Sequence, residues 1–242
     1  MEIGDFALQI DHDLSTCRRM FYGVYEMPFV NFLRKTLNEG DVFLDLGANI
    51  GYITAVVHQL VGEQGKVIAC EPSPTCTNSV ERNNPTFPAG VTWIQAAIMD
   101  RDGTFSFCDT PSIVSSGFGR VLHGEKRSGE IVHEVRAVTV DTLVKEHNIE
   151  HVRCMKLDVE GCERIALAGA KHLLESGAVD HIMVETSNIG DSGKTETKAI
   201  FELLKGYGFK PYLPNINGIL KPFDIDLADE FRLDVIWRSE LN

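Results

Sequence analysis

The stretch from Asp41 to Thr54, DVFLDLGANIGYIT, constrains the fold more than any other part of this chain. An apolar run closes on an acid at Asp45, a Gly-x-Asn-x-Gly turn follows, and the residues beyond it continue at helical spacing. A buried parallel strand feeding a ligand-binding turn and a helix N-terminus has that order. It predicts an open α/β sheet with a nucleoside-bearing cofactor held at the carboxyl ends of the strands.

The turn also discriminates between cofactors. A dinucleotide fingerprint uses three glycines, so that backbone and helix close tightly around a pyrophosphate. Here Gly47 and Gly51 flank Asn49, and the next positions are the bulky Tyr52 and Ile53. This favours a cofactor without phosphates, and Asp45 at the strand end suits a ligand with an ammonium and a carboxylate, such as the methionine half of S-adenosylmethionine. A nicotinamide cofactor remains the alternative. A larger residue at Gly47 is expected to fill space that the cofactor needs.

A second strand follows a helix expected over Tyr52 to Val61 and a loop with Gly62 and Gly65. The run KVIACEPSP ends at Glu71, at the spacing of about 20 residues that places an acid on a ribose. Glu71 either accepts hydrogen bonds from both ribose hydroxyls or caps the helix behind Pro72. The cofactor-binding candidates around the two turns are Asp45, Gly47, Ala48, Asn49, Gly51, Tyr52, Glu71, Pro72 and Ser73.

These segments, together with KLDVEGCE (Lys156 to Glu163), the upstream YGVYE (Tyr22 to Glu26) and the acid-tipped VETSN (Val184 to Asn188), resemble the FkbM family of S-adenosylmethionine-dependent methyltransferases. The resemblance runs from Tyr22 to the final strand. It implies a class I methyltransferase fold and transfer of a methyl group, often to a hydroxyl of a sugar or other natural product. It also implies that Tyr25 and Glu26 lie near the cofactor; read from the residues alone, Tyr25 is equally a packing residue and Glu26 a solvated one. Cys162 departs from the family pattern, which often has a larger or aromatic residue there, and this leaves the acceptor pocket open.

With 242 residues, 43% of them hydrophobic, the chain can fill one α/β core. An N-terminal strand-and-helix lid segment is expected over residues 1–40 and the cofactor-binding domain over 41–242. The net charge of −12 and a pI near 5.1 argue against nucleic acid as a partner. Arg18, Arg19, Arg34 and Lys35 make the nearest basic group and read as helix surface. Six cysteines without a C-x-x-C pair read as reduced thiols, and eight scattered histidines predict no metal site. The acidic N-terminus and the absence of a long apolar run point to a cytoplasmic protein with no membrane association. Oligomeric state is not encoded in any of these features.

Beyond Glu71, SPTCTNSVERNN reads as a Ser/Thr-capped helix, and VTWIQAAIMD as a third strand whose Ala96 and Ala97 lie across the adenine. TFSFCDT alternates as a strand. The polar stretch Ser112 to Gly129, with Ser115, Ser116, Phe118, Arg120 and His123, is either an acceptor-binding loop or plain surface. VHEVRAVTVDTLVKEHNI gives a strand and a helix opened by Asp141-Thr142, and VRCMKLDVEG a fourth parallel strand ending on Asp158, Glu160 and Gly161. CERIALAGAKHLLESG reads as one helix stopped by Gly177, VDHIMVETSN as a fifth strand ending near Glu185, and Thr195 to Tyr207 as a helix. FKPYLPN and FRLDVIWRS close the chain as a strand pair. The expected architecture is Rossmann-like: a seven-stranded, mostly parallel sheet with helices on both faces and an antiparallel last strand.

In such a sheet Asp45, Gly47, Glu71, Ala97, Asp158, Glu160 and Glu185 converge on one crevice. So many acids raise one another's pKa unless a cation joins them, and a cofactor bearing an ammonium and a sulfonium meets that need. For a hydroxyl acceptor, Glu160 is the first choice of base, with Asp158 positioning the acceptor or the methionine end and Glu185 able to do either; His123 is more remote. Extended geometry would aim Asp158 and Glu160 into the crevice together and turn Val159 into the core. A small-molecule acceptor is implied, although a catalytically silent cofactor-binding protein would share these residues.

Overall fold

The computed structural model describes residues 1–109, 120–121, 128–187, 189–225 and 232–241. A short hairpin, β1 (Glu2–Ile3) and β2 (Phe6–Ala7), precedes two helices, α1 (Ser15–Phe21) and α2 (Met27–Thr36). The helical pattern expected across Thr16 to Asn38 is thus split, because Gly23 and Glu26 both take left-handed backbone angles between the helices. Then come β3 (Val42–Leu46), α3 (Tyr52–Val61), β4 (Lys66–Cys70), α4 (Pro74–Asn83) and β5 (Val91–Ile94). The next elements are β6 (Ala97–Ile98), β7 (Gly103–Asp109), β8 (Arg120–Val121), β9 (Ile131–Val138) and α5 (Val140–Glu146). The chain continues through β10 (Val152–Leu157), α6 (Glu163–Ala168), α7 (Lys171–Glu175), β11 (Val179–Ser187) and α8 (Gly190–Gly206), and closes with β12 (Phe209–Pro214), β13 (Leu220–Pro222) and β14 (Arg232–Ser239).

The main sheet has the order β13-β12-β14-β11-β10-β3-β4-β5. Its β5, β4, β3, β10 and β11 run parallel, and β14 enters antiparallel between β11 and β12. The seven expected strands are all there, and β13 adds an eighth at the edge by pairing antiparallel with β12. Alternate side chains of each strand feed opposite faces. Leu44, Leu46, Met155, Leu157, Ile182 and Val184 pack with α5 to α8. Phe43, Cys154, Met183 and Ile236 pack with α2, α3 and the N-terminal hairpin.

Two expected elements break where tertiary contacts outweigh local pattern. VTWIQAAIMD is two strands in different sheets: β5 ends at Ile94, and β6 pairs in parallel with β9 in a four-stranded sheet ordered β6-β9-β7-β8. The helix predicted from Cys162 to Gly177 is interrupted at Gly169, where a Cβ would come within 2.2 Å of the Met99 carbonyl oxygen. Asp141 then caps α7 by accepting the N–H groups of His172 and Leu173. Helix α8 begins at Gly190, ahead of the expected start at Thr195. Among the described residues no helix is long and apolar enough to cross a membrane.

Candidate functional site

A cavity opens at the carboxyl ends of β3, β4 and β10. The turn after β3 shapes its floor. Gly47 has φ 85, and a Cβ there would lie 1.7 Å from the Asp158 carbonyl oxygen, so the residue must be glycine to let two backbone turns touch. This corrects the expectation that Gly47 clears space for the cofactor: the space it clears belongs to the neighbouring turn. The Gly47 and Ala48 N–H groups both donate to the Cys70 carbonyl, which ties the turn to the end of β4.

Glu71 lies just past β4 in the cavity wall, with each carboxylate oxygen taking one backbone N–H at 2.8 Å, from Asn49 and from Ser73. Burial pushes its pKa up to about 7, against the lowering effect of those two donors. Ser73 also caps α4 by accepting the Cys76 N–H, so the capping role weighed for Glu71 belongs to Ser73. Asp109, at the end of β7, accepts hydrogen bonds from the Ser73 and Thr75 hydroxyls and braces this corner.

The cavity wall also contains a residue that was not among the expected site residues. Lys156 on β10 pairs in register with Asp45 on β3, and both side chains emerge on the face covered by α2 and α3. Its buried ammonium donates to the Gly47 carbonyl at 2.9 Å and lies 3.0 Å from Asp158 and 3.9 Å from Asp45. Burial alone would lower the lysine pKa, yet Asp158, Asp45 and Glu26 carry it above the usual range. The acids of the crevice therefore have a resident cation, and the cofactor is not their sole counter-charge. A lysine amid the apolar run VRCMKL was the available signal, since a buried charge requires partners.

Asp45 is fully buried and held by the Thr54 hydroxyl at 2.5 Å; it is not among the residues lining the cavity, and burial raises its pKa. Of the other cofactor-binding candidates, Gly51 and Ser73 are not among the lining residues, whereas Gly47, Ala48, Asn49, Tyr52, Glu71, Pro72, Ala97, Asp158 and Glu160 line it. Tyr25 and Glu26, left open between two readings, also line it, and burial raises the pKa of both.

Strand β10 stops at Leu157, so Asp158 and Glu160 sit on a turn and not on a strand tip. Glu160 takes φ 52, and Glu163 fixes the turn by accepting the N–H groups of Val159 and Gly161 at 3.1 Å. Val159 consequently lines the cavity beside its neighbours and does not turn wholly into the core. Among the described residues, Glu160 alone lines both this cavity and a second, more open groove with Thr186, Ser187, Ser192, Glu185 and Arg232. Burial, then Asp158 and Glu185, push its pKa up to about 8, while Arg232 at 3.7 Å opposes them. Glu185 faces the groove and not the cofactor cavity, and Arg232 grips both its oxygens at 2.7 and 3.0 Å. Ser115, Ser116, Phe118 and His123 of the expected acceptor loop lie outside the described residues; Arg120 pairs with Glu130 at 3.0 Å, and Val121 lines the cavity.

Residues 45–211 match the family model of the methyltransferase FkbM domain. The chain belongs to the FkbM methyltransferase family. It is 27% identical over 177 residues, 73% of this chain and 68% of the relative, to the hexuronic acid methyltransferase AglP of Haloferax volcanii. A candidate rRNA-methylase of Clostridium thermocellum superposes with a TM-score of 0.52 at 14% identity, covering 87% of this chain and 92% of that one, which speaks to the fold alone. Membership in the FkbM family replaces the nicotinamide alternative with a methyltransferase whose methyl donor is S-adenosylmethionine.

The FkbM cavity suits that donor on three counts. Each Glu71 oxygen, having taken one N–H, keeps a lone pair for a ribose hydroxyl. Ala96, Ala97 and Pro72 offer small apolar surface to a flat ring, and Glu26 presents an unpaired carboxylate oxygen to a cationic group.

Proposed function

We propose that this protein methylates a hydroxyl oxygen of a sugar-like acceptor, with the acceptor in the groove beyond Glu160. The observation that carries this reading is the placement of Glu160 in the wall common to the cofactor cavity and the groove. S-adenosylmethionine, when bound, supplies an activated methyl group open to in-line displacement. Glu71 would hold the ribose, and Asp158, anchored by Lys156, would hold the methionine end or the acceptor. The Glu160 carboxylate accepts the proton of the attacking hydroxyl. A pKa near 8 suits that task, because a base works best when its pKa lies close to the working pH. The hydroxyls of Ser187 and Ser192 and the Arg232–Glu185 pair furnish donors and acceptors to a polyol, and the relative that acts on hexuronic acid supports a sugar. The net charge of −12 favours such a small acceptor over nucleic acid.

The test is a methyl-release assay over neutral sugars, hexuronates and amino sugars, with wild-type protein and Glu160→Gln. Turnover of the preferred acceptor should fall by roughly 10²- to 10⁴-fold in the variant, with cofactor affinity nearly unchanged. Near-normal turnover would remove Glu160 as base. Cofactor binding without methyl release to any acceptor would favour a catalytically silent protein.

A further inference from the structure

Glu26 carries an orphaned atom. Its carboxylate lines the cofactor cavity, and its buried Oε2 has no hydrogen-bond partner. Buried carboxylate oxygens without donors are costly and correspondingly rare in native proteins. The backbone there is strained as well, with φ 45 and ψ 36 at the N-cap of α2, a left-handed conformation that a glutamate seldom adopts. Two unfavourable features at one cavity-facing residue point to function.

Lys156 lowers the Glu26 pKa through space but gives Glu26 Oε2 no hydrogen bond, its ammonium lying against the Gly47 carbonyl, Asp158 and Asp45. Asp45, the acid that the sequence offers for the methionine ammonium, is fully buried beside Lys156 and is not among the residues lining the cavity. Three acids, Glu26, Asp45 and Asp158, thus surround one lysine; Glu26 and Asp45 each keep a buried oxygen without a hydrogen bond, and of these two only Glu26 lines the cavity. We propose that Glu26 is the ligand for the α-ammonium group of S-adenosylmethionine, replacing Asp45 in that role. The assignment rests on the cofactor reading above. It also makes the turn between α1 and α2 part of the cofactor site, so that the methionine end of the ligand, and not its nucleoside, holds this segment over the cavity.

Titration calorimetry with two ligands separates the alternatives. S-adenosylhomocysteine has the ammonium, and 5′-methylthioadenosine lacks the whole amino-acid part. In Glu26→Gln, which keeps the side-chain shape, the Kd for S-adenosylhomocysteine should rise roughly 10- to 100-fold, the worth of one hydrogen bond to a charged group. The Kd for 5′-methylthioadenosine should stay within about twofold of wild type, since that ligand never meets Glu26. Unchanged affinity for S-adenosylhomocysteine would overturn the assignment. So would equal weakening of both ligands with a lowered Tm, which would mark Glu26 as a structural residue. Wild-type protein that binds neither ligand would overturn the cofactor reading itself, and this assignment with it.

Discussion

Gly47 and Asp158 meet backbone to backbone: a Cβ on residue 47 would stand 1.7 Å from the Asp158 carbonyl oxygen. The Asp158 N–H donates in turn to the Leu46 carbonyl at 3.0 Å, so the turns after β3 and β10 form one joined surface. Gly47→Ala should therefore destabilise the protein before any ligand is added. Left-handed strain and the displaced turn together cost at least about 2 kcal/mol, or roughly 4–8 °C in Tm for a domain of this size. Thermal unfolding of the ligand-free protein measures it. A variant as stable as wild type would show that the two turns can part freely.

Lys156→Met removes the cation from a buried group of acids. Breaking such a pair from one side typically costs about 3–5 kcal/mol. The sign with pH follows from the acids. Burial already raises Asp45 and Glu26, while Lys156 lowers both. Without the lysine their folded-state pKa values rise further, so the folded variant binds protons that the unfolded chain has released, and it loses stability as pH rises. Urea unfolding should show a deficit that is large near pH 7.5 and smaller near pH 5.5. A deficit independent of pH would assign the loss to packing.

Arg232→Gln tests the same electrostatic logic on the acceptor side. Arg232 counteracts the burial and the acidic neighbours that push Glu160 up to about 8. If the Glu160 carboxylate is the base, turnover rises with pH through its pKa, and loss of the arginine moves that limb further alkaline. Turnover near pH 7 should drop several-fold while turnover near pH 9 is largely kept. An unmoved limb would mean that another group titrates there.

The elements readable in the sequence were those with local punctuation. Helix α3 spans Tyr52–Val61 as expected because Gly51 and Gly62 bracket it, and α4 starts behind Ser73 because a serine hydroxyl can accept an N–H three residues on. Where remote groups decide, the pattern misleads. Asp141 marks the break at Gly169, its N–H donating to the Gly169 carbonyl and its carboxylate capping α7, and the Glu163 carboxylate pulls residues 159–161 into a turn that the alternating run LDVEG does not announce.

By itself the sequence determined the class of fold, the glycine turn, the acid at the end of each early strand and the family, because each rests on residue type and short-range spacing. The tertiary structure alone decided how those acids divide their work. Register sets Lys156 opposite Asp45, and that pairing withdraws Asp45 from the wall and leaves Glu26 facing the cavity. Ladder register and the crossing of turns join residues more than a hundred positions apart, and charges so brought together set one another's ionisation, which no local pattern records.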